Sequence, residues 1–381
     1  MRQDLNLPGL GACFLPREFT MFTGPLAQVE EVSPAERPRV VLDRLAAGGS
    51  LVLTGNYTRV DGIYRYCAHN EKELAVAPRR AASEETSPKG TVAADRRRHI
   101  AELTAMRRRR LHHLLVPARG DNLVGIEDAP DTAGLQQWLE ESTGEDLFLI
   151  PVRRLQRILT DMRRAREGIP VPGLDAPITI LPHVYVPADM SVPAMLREFA
   201  GLITGRRVLD MGTGTGVLAL LAAQLGAREV LATDSNPKAV ENVRLNAQRL
   251  GMGYRVVVRG PANLFTGLTD ERFDVIVFNA PWAEGDPQSL YDTAIYDPGR
   301  RVMEAFLESA PLHLSPDGAI LLQYSDVSDG CGDKSIERLT ASLKRNGLFI
   351  ASSRSIHRKS RLTGTGETVR FFEIRKTALA G

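Results

Sequence analysis

The chain is poor in cysteine: Cys13, Cys67 and Cys331 are its only three, too widely spread for a CxxC pair. That excludes a disulfide framework and a zinc ribbon. Long apolar runs are missing as well. The best of them, Val217 to Ala223, stops at Gln224, well short of the roughly 18 residues a membrane-spanning helix needs. An excess of one charge is missing too, since 48 Lys+Arg stand against 46 Asp+Glu for a net charge of +2 over 381 residues. The chain is therefore no polycation, and contact with nucleic acid would need a local basic patch. Aromatic residues make up only 6%, and none falls between Cys67 and Gln137. The opening residues, Met1-Arg2-Gln3-Asp4-Leu5, carry an early acid and no apolar stretch behind it, unlike an export signal. What remains, 43% hydrophobic and 25% charged, is the composition of a globular protein, expected to be cytoplasmic and free of membrane. Dividing the length by roughly 150 residues per domain gives about two and a half, which favours two domains.

The C-terminal half alternates short β-rich runs with helical patterns, as βαβ units on a parallel sheet do. Strands are expected at 206–210, 229–233, 254–258, 273–278, 319–324, 349–353 and 369–374, making a seven-stranded sheet. Helices are expected at 217–225, 237–250, 301–313 and 335–345; Pro237 suits a first helical turn and Gly251 a helix end. The N-terminal region has weaker signals: strand-like runs at 51–54 and 62–67, and a helix at 155–166. The stretch from Pro78 to Asp95 reads as a loop or insertion. The chain is thus divided into an N-terminal α+β domain, 1–167, a Pro- and Gly-rich linker, 168–184, and an α/β domain, 185–381. No motif repeats between the halves.

Three motifs carry chemistry. The first is Val208-Leu209-Asp210-Met211-Gly212-Thr213-Gly214-Thr215-Gly216-Val217, a strand ending in an acid and followed by glycines at every second position. Such glycines let the backbone turn sharply and approach a ligand closely. Val217 stands where a third, helix-packing glycine would fall in a dinucleotide fingerprint, so NAD is not the best reading. The second is Asp234, which closes the next strand at the spacing where an acid meets ribose hydroxyls; a helix N-cap ahead of Pro237 is the competing reading. The third is Asn279-Ala280-Pro281-Trp282 after the strand ending at Phe278. An amide, a rigid proline and a flat aromatic at a strand's carboxyl end suit a planar nitrogen substrate, the alternative being a turn with an ordinary core tryptophan. The Asn279 oxygen and the Ala280 carbonyl can accept the two N–H bonds of an amino or amide group.

Together these residues resemble the class I S-adenosylmethionine-dependent methyltransferases. Asn279-Ala280-Pro281-Trp282 resembles the signature of their amino-methylating branch, which includes release-factor glutamine, DNA adenine and ribosomal RNA guanine methyltransferases. The resemblance spans about Tyr185 to Ile374 and implies a Rossmann-like domain with S-adenosyl-L-methionine as cofactor. It implies that Asp210, Gly212, Thr213, Gly214 and Gly216 surround the cofactor's methionine part. Asp234, Ser235 and Asn236 would meet its ribose, and Tyr185, in the segment Val184 to Met190, would lie over it. Asn263, Leu264 and Phe265 match the adenine motif, with Asn263 standing where an acid is usual. Asn279, Ala280, Pro281 and Trp282 would hold the reacting nitrogen, Asn279 also touching the cofactor; Ala280 stands where proline is common and Trp282 where tyrosine is commoner.

The implied reaction is methyl transfer to a planar amino, amide or guanidino nitrogen, with a small molecule or peptide as the favoured acceptor. The runner-up is a ribosomal RNA guanine amino group. Asn263 and Ala280 keep open a third reading, a module that binds the cofactor without catalysis.

Two further features are weighed. Arg107 to Arg110, with Arg96 to Arg98 upstream, offers an RNA-binding surface or the solvated face of an amphipathic helix, since Ile100, Leu103, Met106, Leu111 and Leu114 fall near helical spacing. The missing aromatics remove the stacking partners of single-stranded recognition. Cys67 and His69 could offer two metal ligands, but a buried cysteine beside a surface histidine is the expectation, and no metal site is assigned.

Overall fold

The computed structural model describes residues 2–26, 28–74, 106–107, 109–187, 189–281, 283, 287, 291–325, 333–359 and 366–377. The expected insertion at 78–95, Arg96 to Arg98, Arg108 and Trp282 lie outside them. The chain divides into two compact units, Met1–Met162 and Arg163–Gly381.

In the second unit seven strands form one sheet, in the order Val256–Arg259, Glu229–Thr233, Arg207–Met211, Phe273–Asn279, Leu314–Ser325, Gly366–Lys376, Leu348–Lys359. The first five run parallel and the last two are joined antiparallel. Parallel strands covered on both faces read as unbroken apolar runs. Accordingly Val208, Leu209, Val230, Leu231, Val275, Ile276 and Val277 are all buried. The helix Val217–Gln224 has no polar face because seven of its residues, Val217 to Ala223, are buried. The helix Pro237–Arg249 shows the opposite pattern, burying Ala239, Val240, Val243 and Ala247 along one stripe, with Asn236 capping its N-terminus.

Gly168 to Pro182, expected as a linker, falls wholly within this second unit and is pinned there by two buried asparagines one helical turn apart. Asn246 Oδ1 accepts the Thr179 N–H at 2.9 Å and Asn242 Oδ1 accepts the Leu181 N–H at 2.8 Å, while both side-chain amides donate to the Thr179 carbonyl.

The first unit has a mixed sheet, ordered Gln3–Leu7, Gly11–Leu15, Leu147–Pro151, Leu114–Arg119, Ser50–Val52, Val29–Glu31, with Asn122–Leu123 paired to Leu114–Arg119 off that path. Its strand order differs from that of the second sheet, so the two units are not copies of one topology. The run 62–67, expected as a strand, is part of the helix Tyr57–His69. Its tyrosines and isoleucine favour strand by type, but the buried residues Val60, Ile63 and Cys67 recur at helical spacing, and Asn56 caps the start by accepting the Thr58 N–H at 2.9 Å. Cys67 is buried and His69 exposed, and no cluster of metal-ligating side chains occurs among the described residues. Of the basic run, Arg109 is exposed while Arg107 and Arg110 are half-buried. No helix among the described residues is long and apolar enough to cross a membrane.

Candidate active site

The strand order of the second sheet reverses between Arg207–Met211 and Phe273–Asn279. In open α/β sheets, ligands lie outside the carboxyl ends of the strands at such a switch point. The cleft of this unit is there: Met211 ends the strand Arg207–Met211 and Gly212 and Gly214 follow it, Asp234, Ser235 and Asn236 follow Glu229–Thr233, and Phe278, Asn279 and Pro281 lie at the end of Phe273–Asn279.

The glycine loop is built for close approach. Gly212 has φ +64°, and a Cβ there would come within 3.3 Å of the Phe278 ring. Gly216 has φ +86°, and a Cβ there would meet Val243 Cγ2 at 2.6 Å, so this glycine seats the loop on the neighbouring helix rather than facing the cleft. The Gly214 N–H donates to Asp234 Oδ2 at 2.8 Å, and the Asn236 N–H to Asp234 Oδ1 at 2.8 Å. Asn236, not Asp234, is the N-cap of the following helix, accepting from Lys238 N at 2.8 Å. Asp234 is thus held by backbone donors at the cleft wall, and its carboxylate keeps lone pairs for a ligand's hydroxyls.

Asp210 lies behind the loop. Its Oδ2 accepts from Thr213 Oγ1 at 2.6 Å and from Ala219 N at 3.0 Å, whereas its Oδ1 is buried with no partner. Burial pushes its carboxyl up to about 7, against the two hydrogen bonds and helped by the nearby Asp234 charge. Burial also raises Asp234, opposed by the N–H groups of Asn236, Gly214 and Ser235. Only Asp234 lines the cleft, whereas Asp210, expected beside the cofactor, is buried behind its wall; both carboxyls are raised, and a cationic ligand in the cleft would favour their charged forms.

Of the remaining expected residues, Tyr185 lines the cleft, its ring 5.7 Å from that of Tyr291, and Asn263 and Leu264 line it beside Ala262. Phe265 does not; it stacks on His313 at 4.4 Å and on Phe306 at 5.7 Å, anchoring the motif in the core. Thr213 serves Asp210 through its hydroxyl, and Ala280 is buried in the core. Residues not foreseen include Thr293, Ala294 and Val302 in the cleft wall. They come from a segment after Asn279 with no motif to announce it, whose helix is capped by buried Asp297 accepting from the Val302 and Met303 N–H groups. Asn246 Nδ2 additionally donates to the Thr215 carbonyl at 2.9 Å, fixing the glycine loop from below.

Asn279 closes the site. It lines the cleft at the end of its strand, and its Oδ1 is buried without a hydrogen-bond partner. A buried amide oxygen left unmet is costly, about 1–3 kcal/mol, and is met when a ligand N–H arrives.

Residues 195–280 match the family of ribosomal protein L11 methyltransferase (PrmA). Among curated relatives, the chain is 32% identical over 212 residues to a release factor glutamine methyltransferase of Vibrio cholerae, covering 52% of this chain and 72% of that one. It is 28% identical over 153 residues to a protein of Methanocaldococcus jannaschii named as a protein N5-glutamine methyltransferase, covering 39% and 75%. With a release factor glutamine methyltransferase of Xylella fastidiosa it shares 34% over 130 residues, covering 31% of this chain and only 46% of that one.

Proposed function

The chain belongs to the family of S-adenosylmethionine-dependent methyltransferases that includes the release factor glutamine methyltransferases, and on that premise we propose that it methylates the side-chain amide nitrogen of a glutamine in a protein. The observation that carries this reading is the buried, unpartnered Asn279 Oδ1 at the cleft floor, an acceptor that an amide N–H satisfies. In this reading the cofactor is S-adenosylmethionine, to which the residues present are suited. Asp234 takes the ribose hydroxyls, Gly212 and Gly214 let the backbone close on the methionine part, Tyr185 covers it, and Asn263 and Leu264 border the adenine. Its positive charge faces Asp234 at the cleft wall, with Asp210 buried behind the loop.

When bound, the cofactor supplies a methyl carbon already made electrophilic by a sulfonium. The protein's own work is positioning and exclusion of water. Asn279 Oδ1 holds an acceptor N–H and favours the positive charge that develops on nitrogen; the proton then leaves to water, and no strong base is required. Pro281 stiffens the backbone after Asn279. The 1–167 region is assigned to recognition of the protein that carries the glutamine.

The test is transfer of a labelled methyl group from S-adenosylmethionine to four candidates offered separately: a bacterial release factor, ribosomal protein uL3, free glutamine and ribosomal RNA. Label on a glutamine of either protein supports the reading. Label on RNA alone, or on none of the four, overturns it.

A further inference from the structure

The backbone that brings Tyr185 to the cleft is gripped at three points by asparagines of the helix Pro237–Arg249 and its cap. Asn246 holds it at Thr179 and Asn242 at Leu181. The third grip is Asn236, which is buried at the cleft wall and whose Nδ2 donates to the His183 carbonyl at 2.9 Å.

Asn236 holds the chain where it is strained. Leu181-Pro182-His183-Val184 makes a turn, the Val184 N–H donating to the Leu181 carbonyl at 3.3 Å, with proline second and His183 third at φ +63°. Glycine or asparagine usually fills that third place, because a left-handed φ crowds the Cβ of other residues. Such a residue persists only where its surroundings fix it. Beyond the turn Val184 and Val186 are buried, and Tyr185 between them lines the cleft. The Tyr185 carbonyl oxygen lies 3.6 Å from where a Cβ on Gly214 would stand, so the backbone of this segment runs against the glycine loop.

We infer that Asn236 is a positioning residue that acts on the cofactor through Tyr185, its Nδ2 locking the turn at His183 and so fixing the tyrosine over the methionine part. This rests on the reading of the cofactor as S-adenosylmethionine and goes beyond it. The two polar atoms of the side chain divide the work: Oδ1 accepts the Lys238 N–H at 2.8 Å and caps the helix, while Nδ2 holds the turn. Serine also caps helices, but its one hydroxyl brings no amide to the His183 carbonyl. Exchanging one for the other therefore separates the cap from the grip.

The experiment measures S-adenosylhomocysteine binding to the full chain by calorimetry. Asn236→Ser should weaken it at least tenfold with the circular dichroism spectrum unchanged; affinity within twofold of the unaltered protein leaves Asn236 a helix cap and overturns the proposal. Should the serine variant not fold, Asn236→Asp, which keeps the shape and the capping oxygen but not the donor, is read in the same way. Tyr185→Ala, at a half-buried position, should also cost at least tenfold, and undiminished binding there overturns the proposal however the Asn236 variants behave. In the double variant the losses should overlap, leaving affinity within threefold of the weaker single variant. Losses that multiply, to about a hundredfold together, mark two independent contacts and refute action through Tyr185. If the unaltered protein binds no S-adenosylhomocysteine, the cofactor reading falls and this inference falls with it.

Discussion

Asp234 Oδ2 accepts the Gly214 N–H at 2.8 Å, so the acid that ends one strand fixes the glycine loop that follows its neighbour. The same carboxylate orders the helix start through Asn236. Replacing it should loosen both walls of the cleft at once. For Asp234→Ala we expect S-adenosylmethionine affinity to fall at least tenfold, from the loss of charged hydrogen bonds worth about 1.5–3 kcal/mol each. Calorimetric titration beside the unaltered protein measures this.

Asp210 gives the ligand-free protein a characteristic pH dependence. Its folded carboxyl titrates at about 7, above the ordinary value of 3.8, because burial disfavours the charge. The native state therefore binds the proton more tightly than the unfolded chain does. The stability this group contributes is fully present below about pH 4 and is lost as pH rises through 7. Thermal unfolding should show the unaltered protein losing more stability between pH 5 and pH 8 than Asp210→Asn, whose side chain does not titrate. A cationic cofactor favours the ionised form, so its affinity should rise over the same interval, and less so in the variant.

Asn246 is fully buried and accepts the Thr179 N–H while donating to the carbonyls of Thr179 and Thr215. Asn246→Ala leaves these groups unmet in the interior and should cost about 3 kcal/mol, at about 1–3 kcal/mol for each unsatisfied group. Urea unfolding gives the loss, and cofactor affinity should weaken with it because Thr215 belongs to the glycine loop.

The parts legible in the sequence were those whose signal is local. The acid, the glycines and the following apolar helix lie within one short segment, and helix 301–313 and strand 229–233 appear where their periodicity and flanking residues put them. Asp234 and Asn279 were legible because each ends an apolar strand. What was not legible depends on register between distant segments. The hold of Asn242 and Asn246 on the backbone of 179–181 joins segments more than 60 positions apart. Phe265 reads as a site residue by its motif, yet a ring pair with His313 claims it for the core. The run 62–67 reads as strand by residue type, and only the spacing of Val60, Ile63 and Cys67 marks it as helix.

The central claim is that Asn279 Oδ1 receives the nitrogen that is methylated, and the most direct test separates binding from chemistry in Asn279→Ala. Single-turnover methylation of a release factor and calorimetry with S-adenosylmethionine should be measured on the same preparation. We predict a fall in rate of about 100-fold or more, the scale of one lost transition-state hydrogen bond in a dry site, with cofactor affinity held within about threefold. A rate left intact, or one that falls only in proportion to lost cofactor affinity, would contradict the account.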